Sequence, residues 1–317
     1  MYTLYRYLLL ALDPLHVGAG GYRLGRVDLS IVREPGTGVP KIPGTSLSGA
    51  TRAYAARRAG QPECAGQGQS GDGHCGRKNC PICYTFGSLY SRDQEDKRIQ
   101  QAHAGTVNLS DARLLLFPVA TATGPVWVAT RERLAAAGFP TDDLAKPGGE
   151  EVLLTFEQDD ALNLGWMLLD SGDPVAVTPP AGSGWSDAAQ WQAIAGRIGL
   201  VQESLFGQIV NANLEVRTSV SIDPFTGAAE EGALFTYEAL PRASWLVGEV
   251  IVDDYRRCFP AERGREKGVG ETPLTVVRTG LQLIEYLGIG GMGTRGFGRA
   301  QMVGEPWTVI QGPEVAS

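Results

Sequence analysis

Apolar and polar positions along the chain alternate between two periods. Tyr2 to Leu12 is an apolar run rich in Tyr and Leu, which predicts a strand. After Ile42-Pro43-Gly44, Leu47, Ala50 and Tyr54 repeat at helical spacing, with Thr45 or Ser46 as the expected N-cap and Gly60 as the stop. Arg57 and Arg58 fall in the last turn of that helix, where cations suit the helix dipole. Thr106–Val119 and Pro125–Ala129 predict strands, and Arg131–Ala137 a short helix. Gln190–Phe206 has helical spacing. Asn213–Leu240 reads as two strands around the turn Asp223-Pro224-Phe225-Thr226-Gly227, and Ser244–Tyr255 as a further strand. Thr272-Pro273 opens a last helix whose stripe is Leu274, Val277, Leu281 and Ile284. It ends at Gly288, and Arg299–Val303 closes the chain as a strand.

Between these elements lie polar, glycine-rich stretches: 18–26, 62–83, 138–190 and 288–298. A small set of strands, two main helices and long loops predicts an α+β fold, an antiparallel sheet with helices on one face. The 317 residues suit one core domain with large insertions.

Composition narrows the function. Hydrophobic residues make up 43% and charged residues 20%, ordinary for a soluble globular protein. The start of the chain lacks the pattern of a signal peptide and no apolar run is long enough to span a bilayer, so the expectation is a cytoplasmic protein without membrane partners. The net charge of −7 argues against a free-standing nucleic-acid binder. It leaves room for a narrow anionic-ligand groove built from backbone N–H groups and a few Arg. There is no P-loop, no dinucleotide fingerprint and no motif spacing that suggests a Ser-His-Asp triad.

Four of the five cysteines, Cys64, Cys75, Cys80 and Cys83, lie within twenty residues, separated by ten, four and two residues. Without an export signal, that clustering favours metal over disulfides. Four thiolates match a closed tetrahedral zinc site, with His74 as an alternative to one Cys. The segment has few apolar residues, so structural Zn2+ would supply much of its order. Cys258 stands alone.

Four stretches resemble the backbone subunits of type III CRISPR effector complexes, members of the RAMP superfamily. The first is Val27-Asp28-Leu29-Ser30-Ile31-Val32-Arg33-Glu34, followed by Pro40-Lys41-Ile42-Pro43-Gly44-Thr45-Ser46-Leu47-Ser48-Gly49 and Arg52. The second is Phe86-Gly87-Ser88. The third is Ser221-Ile222-Asp223-Pro224, continuing to Glu231-Gly232-Ala233-Leu234-Phe235. The fourth is Ile289-Gly290-Gly291-Met292-Gly293-Thr294-Arg295-Gly296-Phe297-Gly298-Arg299. Leu115–Val119 and Val126–Val128 lean towards the Cmr-type branch and the Cys cluster towards others, so the subtype stays open.

The resemblance implies a ferredoxin-like, RRM-like core over 1–317 with a zinc-binding insertion at 61–85, a surface insertion at 138–190 and a thumb hairpin at 212–238. It implies a ribonucleoprotein of antiviral defence that holds a guide crRNA, pairs a complementary target RNA, and packs against copies of itself and other effector subunits. Ser46, Ser48 and Arg52 at the first helix, and Gly290, Gly291, Arg295 and Arg299 in the glycine loop, become RNA-contact candidates. In the family pattern a Lys often stands where this chain has Ser48. Phe225, then Ile222, become candidates for the wedge that displaces a base pair. Asp28 falls where the family carries the acid of target-RNA cleavage, with Mg2+ or Mn2+ as catalytic ion and Glu34 as a weaker second carboxylate. Read without the resemblance, Asp28 caps a turn, Ser46 belongs to a capped helix, and the glycine loop is a helix-to-strand turn. His16 reads as structural. A cleaving subunit and a non-cleaving scaffold both fit, and they differ at Asp28.

Overall fold

The computed structural model describes residues 2–20, 27–66, 73–94, 97–230 and 232–312. Positions 21–26 of the first glycine loop, 67–72 of the cysteine segment and Glu231 lie outside the described residues. In chain order the elements are β1 (Tyr2–Ala11), β2 (Lys41–Ile42), α1 (Gly44–Arg58), α2 (Pro81–Phe86), β3 (Ser88–Gln94) and β4 (Lys97–His103). Then come β5 (Val107–Leu109), β6 (Ala112–Thr121), β7 (Gly124–Ala129), α3 (Arg131–Ala136), β8 (Glu151–Leu154), β9 (Leu162–Leu164) and β10 (Met167–Ser171). The chain continues through α4 (Ala189–Gln192), β11 (Ile198–Leu200), α5 (Glu203–Ala212), β12 (Glu215–Ser219), β13 (Phe235–Ala239) and β14 (Trp245–Asp253). It closes with α6 (Ala261–Glu266), α7 (Pro273–Leu287) and β15 (Ala300–Gln311).

The fold is α+β. Its central sheet runs β15-β1-β14-β6-β7-β11-β8-β10-β9, with β2 joining β6 and β5 joining β14. The centre is antiparallel: β1 lies between β14 and β15, with Leu8 opposite Val247 on one side and Val303 on the other. Parallel pairing enters further out, between β7 and β11 and between β8 and β10. Side chains of β1 split between the two faces as the period of two demands. Tyr7, Leu9 and Ala11 enter the core under α1, α5 and α7, and Leu8 enters the opposite core. That second face is not bare. Leu134, Phe139, Trp185 and Trp191, from α3 and the segments around α4, cover it.

Helix α7 starts as its sequence suggests. Thr272 Oγ1 accepts the Thr275 N–H at 3.2 Å, and Thr275 Oγ1 accepts the Thr272 N–H at 2.9 Å, with Pro273 in the first turn. Its stripe Val277, Leu281 and Ile284 is fully buried, each side chain worth about 1.5–3 kcal/mol of burial. Helices α1 and α7 pack so closely that a Cβ on Gly280 would stand 2.2 Å from Thr51 O.

Several expectations are corrected. The N-cap of α1 is Pro43, one residue before Gly44, and neither Thr45 nor Ser46 caps it. Asp111 does that work from the break between β5 and β6, its carboxylate accepting the Gly44 N–H at 2.8 Å and pairing with Lys41 Nζ. Residues 138–190 are more than weakly structured surface. They carry β8, β9 and β10, and bury Val152, Leu154, Leu164 and Trp185. Gln190–Phe206 is broken into α4, β11 and the start of α5, because Ile198–Leu200 is claimed by the sheet. The hairpin β3–β4 and helix α6 had no counterpart in the sequence reading. Among the described residues, no helix is long and apolar enough to cross a membrane.

Candidate nucleic-acid interface and metal centre

Strand β13 is the hub of the first site. Thr236 and Glu238 face one way, towards the segment 27–33. Asp28 Oδ2 accepts the Thr236 N–H at 2.7 Å and the Thr236 hydroxyl at 2.9 Å, while the Asp28 N–H donates to Thr236 Oγ1 at 3.1 Å. Leu29 N–H donates to Thr236 O, and Glu238 N–H to Leu29 O. Glu238 is buried, accepts the Ile31 N–H, and pairs with Arg33 at 2.6 Å. Asp28 is exposed, and its Oδ1 has no hydrogen-bond partner among the described residues. The Thr236 backbone N–H, helped by its hydroxyl, holds the Asp28 carboxyl below the usual carboxylate range. Glu34 is elsewhere, accepting from Thr37 inside its own turn.

Phe235 and Tyr237, on the other side of β13, meet the glycine loop. Tyr237 contacts Phe297 edge-on at 5.5 Å and His16 at 6.1 Å between ring centroids. Arg295 lies over Phe235 at 5.5 Å and Arg217 over Phe297 at 4.6 Å. His16 is buried, its Nδ1 is 2.7 Å from Glu238 O, and its own carbonyl accepts the Gly291 N–H at 2.8 Å. That bond brings the loop so near that a Cβ on Gly290 (φ +85°) would sit 2.4 Å from His16 O. Gly291, Arg295 and Arg299 are exposed, and Arg299 is paired with Asp13.

The hairpin above this hub is apolar and exposed. Strands β12 and β13 pair from Glu215–Ala239 to Ser219–Phe235, one residue pair per step. Beyond them the chain forms a smaller turn, in which Asp223 Oδ1 accepts the Phe225 N–H at 2.7 Å and Gly227 N–H returns to Asp223 O. Phe225 is 97% exposed and Ile222 54%. Val216, Val220 and Leu234 are exposed along the same hairpin.

The other candidates divide. Ser46 and Ser48 are half-buried near the start of α1, with no hydrogen-bond partner among the described residues. Helix α1 reaches the glycine loop at Tyr54, whose hydroxyl donates to Gly288 O at 2.5 Å. Ser46 and Ser48 are therefore roughly 9–12 Å further back along the helix axis. Arg52 is drawn into the fold: its Nε donates to Cys64 O at 2.7 Å and its Nη1 reaches Phe86 O at 3.5 Å. Sequence reasoning passed over Thr236, Arg217 and the Arg33–Glu238 pair. The alternation Phe235-Thr236-Tyr237-Glu238 was the available signal, with its polar residues on the side opposite the aromatic ones.

The four cysteines converge. Cys64 and Cys80 Sγ are 3.7 Å apart, Cys64 and Cys83 3.7 Å, and Cys75 and Cys83 3.9 Å. All four sulfurs lie within 4.8 Å of one another. A tetrahedron with Zn–S bonds of about 2.3 Å has sulfurs about 3.8 Å apart, so the donor set and spacing fit zinc. The Cys83 N–H points to Cys80 Sγ at 3.5 Å, a donor suited to a bound thiolate. The cluster forms without His74. The Nδ1 of His74 takes the Leu89 N–H at 2.9 Å, and the residue is outside the cluster. The centre sits over Ala55, Ala56, Ile82 and Val276, tying the cysteine segment to α1 and α7. Cys258 is exposed and apart.

The α+β core thus carries an apolar hairpin, a glycine-rich loop packed on the hairpin base, and a four-thiol cluster whose spacing fits zinc. The chain belongs to the RAMP superfamily, whose family model matches residues 8–301. It is 25% identical over 269 residues to a Pyrococcus furiosus protein named CRISPR system Cmr endoribonuclease Cmr4, a match covering 77% of this chain and 80% of the relative. In structure it is similar to a chain of the type III-B Cmr-beta complex in the apo state (TM-score 0.62, 15% identity, 95% of this chain and 96% of the other). It is also similar to oligomeric Cmr4 from Pyrococcus furiosus (TM-score 0.56, 18% identity, 98% of this chain and 99% of the other).

Proposed function

We propose that this chain is a backbone subunit of a type III CRISPR ribonucleoprotein in the cytoplasm, and that it cleaves target RNA paired to the guide crRNA. It would be one RAMP domain over 1–317 carrying the zinc-binding insertion at 61–85, an insertion at 138–190 that adds β8, β9 and β10 to the central sheet, and the thumb at 212–238. Its partners would be guide and target RNA, further copies of itself and other effector subunits. The observation that carries this reading is Asp28: an ionised carboxylate stapled to the thumb base, with one oxygen unpartnered among the described residues.

Guide phosphates would meet the backbone of Gly290 and Gly291, the side chains of Arg295 and Arg299, and Ser46 and Ser48 at the start of α1. Arg217 joins this set from its place over Phe297, and Arg52 leaves it because its guanidinium is spent inside the fold. Phe225, with Ile222 beside it, would fill the gap left by a displaced base.

In the cleavage step a ribose 2′-OH gives up its proton to solvent water, its oxygen bonds to the adjacent phosphorus, the P–O5′ bond breaks, and the departing 5′-oxygen takes a proton from water. A 2′,3′-cyclic phosphate and a 5′-hydroxyl result. A carboxylate with a depressed pKa is a poor proton acceptor at neutral pH and a good cation ligand. Asp13, Glu34 and Glu238 are engaged elsewhere, so a divalent ion here would take one protein carboxylate and complete its shell from phosphate and water, as Mg2+ commonly does. The ion would offset charge on the attacked phosphate.

One observation favours the alternative of a non-cleaving scaffold. The bonds from Asp28 to Thr236 are by themselves a sufficient structural reason for the acid. Reconstitution with guide and an end-labelled complementary RNA, with Mg2+ or Mn2+, separates the two. Regularly spaced cuts that disappear in Asp28→Ala while target binding persists support the nuclease. Wild-type binding without cuts leaves the scaffold.

A further inference from the structure

Among the described residues, two buried donors beside the thiol cluster have nothing to donate to. Arg52 uses Nε on Cys64 O, but its Nη2 is buried without a partner. Gln61 is 1% exposed, and its Nε2 is likewise buried and unpartnered. The carbonyl oxygen of the same amide stands 3.8 Å from Cys80 Sγ, an arrangement that requires a thiol proton on Cys80. A zinc-bound sulfur is a thiolate and has no proton to give. With metal in place the amide must therefore turn over, so that the orphaned N–H meets the sulfur. Four thiolates around Zn2+ also leave a net dianion in a buried setting, which calls for a cation nearby. Arg52 is the cation at hand, fixed on the carbonyl of a ligating residue.

We propose that Arg52 and Gln61 form the outer shell of the Cys64–Cys75–Cys80–Cys83 centre. Gln61 Nε2 donates to the Cys80 thiolate. Arg52 holds the Cys64 backbone and offsets the charge of the loaded site. Both are positioning residues: Arg52 belongs to α1 and Gln61 follows its end, so the helix and the metal centre are one mechanical unit. The proposal rests on the zinc reading of the four cysteines.

The test is competitive zinc titration of the full chain against a chromogenic chelator, with Co2+ spectra as a second readout. Wild type is compared with Gln61→Leu, Gln61→Glu, Arg52→Met and Arg52→Lys, and with Cys258→Ser as a control outside the cluster. Gln61→Leu and Arg52→Met should weaken zinc binding about 10–100-fold, the usual cost of losing an outer-shell partner. Gln61→Glu, nearly isosteric, should weaken it more, because it adds a further negative charge beside the dianionic site. Arg52→Lys keeps the charge and should recover part of the loss. In the Co2+ form, Gln61→Leu should shift the sulfur-to-metal charge-transfer band to longer wavelength, because removing an N–H donor raises the energy of the thiolate electrons. Affinities within twofold of wild type and an unmoved band would overturn the proposal. So would an Arg52→Met protein that binds zinc normally but loses guide RNA. Failure of wild type to bind zinc would overturn the four-cysteine reading itself.

Discussion

Asp28 and Thr236 are 208 positions apart and exchange three hydrogen bonds in a closed ring: two into the carboxylate from the Thr236 amide and hydroxyl, and one back from the Asp28 amide. The ring sets the segment 27–33 in place along β13 and uses Oδ2 alone, leaving Oδ1 outside these bonds. One residue therefore serves both the hairpin base and the candidate chemistry, and a simple deletion of the carboxylate confounds the two.

Asparagine separates them. Its side-chain oxygen can accept both Thr236 bonds, so Asp28→Asn keeps the staple while the charge and the second acceptor oxygen are lost. Losing the ion held by Asp28 removes several kcal/mol of charge stabilisation, so cleavage in the reconstituted complex should fall on the order of 10²–10⁴-fold in both Asp28→Asn and Asp28→Ala. Hydrogen exchange at the Thr236 amide should stay slow in the first and quicken in the second. Full cleavage by Asp28→Asn would remove the charged carboxylate from the mechanism.

The same bonds fix a pH dependence. The Thr236 amide and hydroxyl depress the folded-state pKa of Asp28 below its unfolded value of about 3.9. A depressed pKa contributes stability above the unfolded value, and that stability is lost as pH falls through the folded one. The melting-temperature difference between wild type and Asp28→Ala should thus be flat from about pH 8 to about pH 5 and shrink only below about pH 4. A difference that vanished near neutrality would show that Asp28 is not held ionised by Thr236.

Glycines of the 288–298 loop differ in what they do. Gly290 has φ +85° and almost touches His16 O, so Gly290→Ala meets both a disfavoured backbone and a clash with main chain. It should destabilise the chain by about 1–3 kcal/mol. Gly293 has ordinary φ and open space around its Cα, and Gly293→Ala should be neutral within about 0.5 kcal/mol. Urea unfolding of the two variants decides it, and equal losses would mean that the loop does not pack on His16 as described.

Much of this was legible in the chain. The strand at Tyr2, the cap at Thr272 and the stop at Gly288 follow from local chemistry that tertiary packing did not overrule. The four cysteines declared their site because ligand spacing is a local signal. The segment 138–190 misled because short strands such as Leu162–Leu164 carry too few residues to show a period. Gln190–Phe206 misled because sheet pairing overrode helical spacing at Ile198–Leu200. Arg52 misled for a different reason: its neighbour Cys64 is twelve residues on, and only the fold turns the guanidinium inward. The role of Thr236 could not be read locally, since its partner lies across the whole chain.

Metal removal should act on one part of the molecule first. The cysteine segment gathers its four sulfurs within 4.8 Å of one another and rests on a small apolar patch of α1, α2 and α7, so a bound metal would be its main cross-link. Chelation, or Cys83→Ser, should expose 61–87 to protease and lower the melting temperature, while the sheet signal in circular dichroism persists. Added zinc should reverse the effect of the chelator and not that of Cys83→Ser. Uniform loss of structure would mean that the segment and the core unfold as a single unit.

Phe225 offers a test free of folding effects. At 97% exposure its ring gains almost nothing from the fold, so Phe225→Ala should leave thermal unfolding unchanged within about 0.5 kcal/mol. Its turn is held by Asp223 and Gly227, so the tip keeps its shape without the ring. A ring that stacks on a base is worth about 1–3 kcal/mol by alanine substitution, or about 5–150-fold in affinity. Target-RNA affinity in the guide-loaded complex should fall by that amount and the spacing of cuts should blur, while Phe225→Trp retains both. Unchanged affinity and spacing in Phe225→Ala would move the wedge to Ile222, the next apolar side chain on the same turn, and the double variant would then have to show the loss.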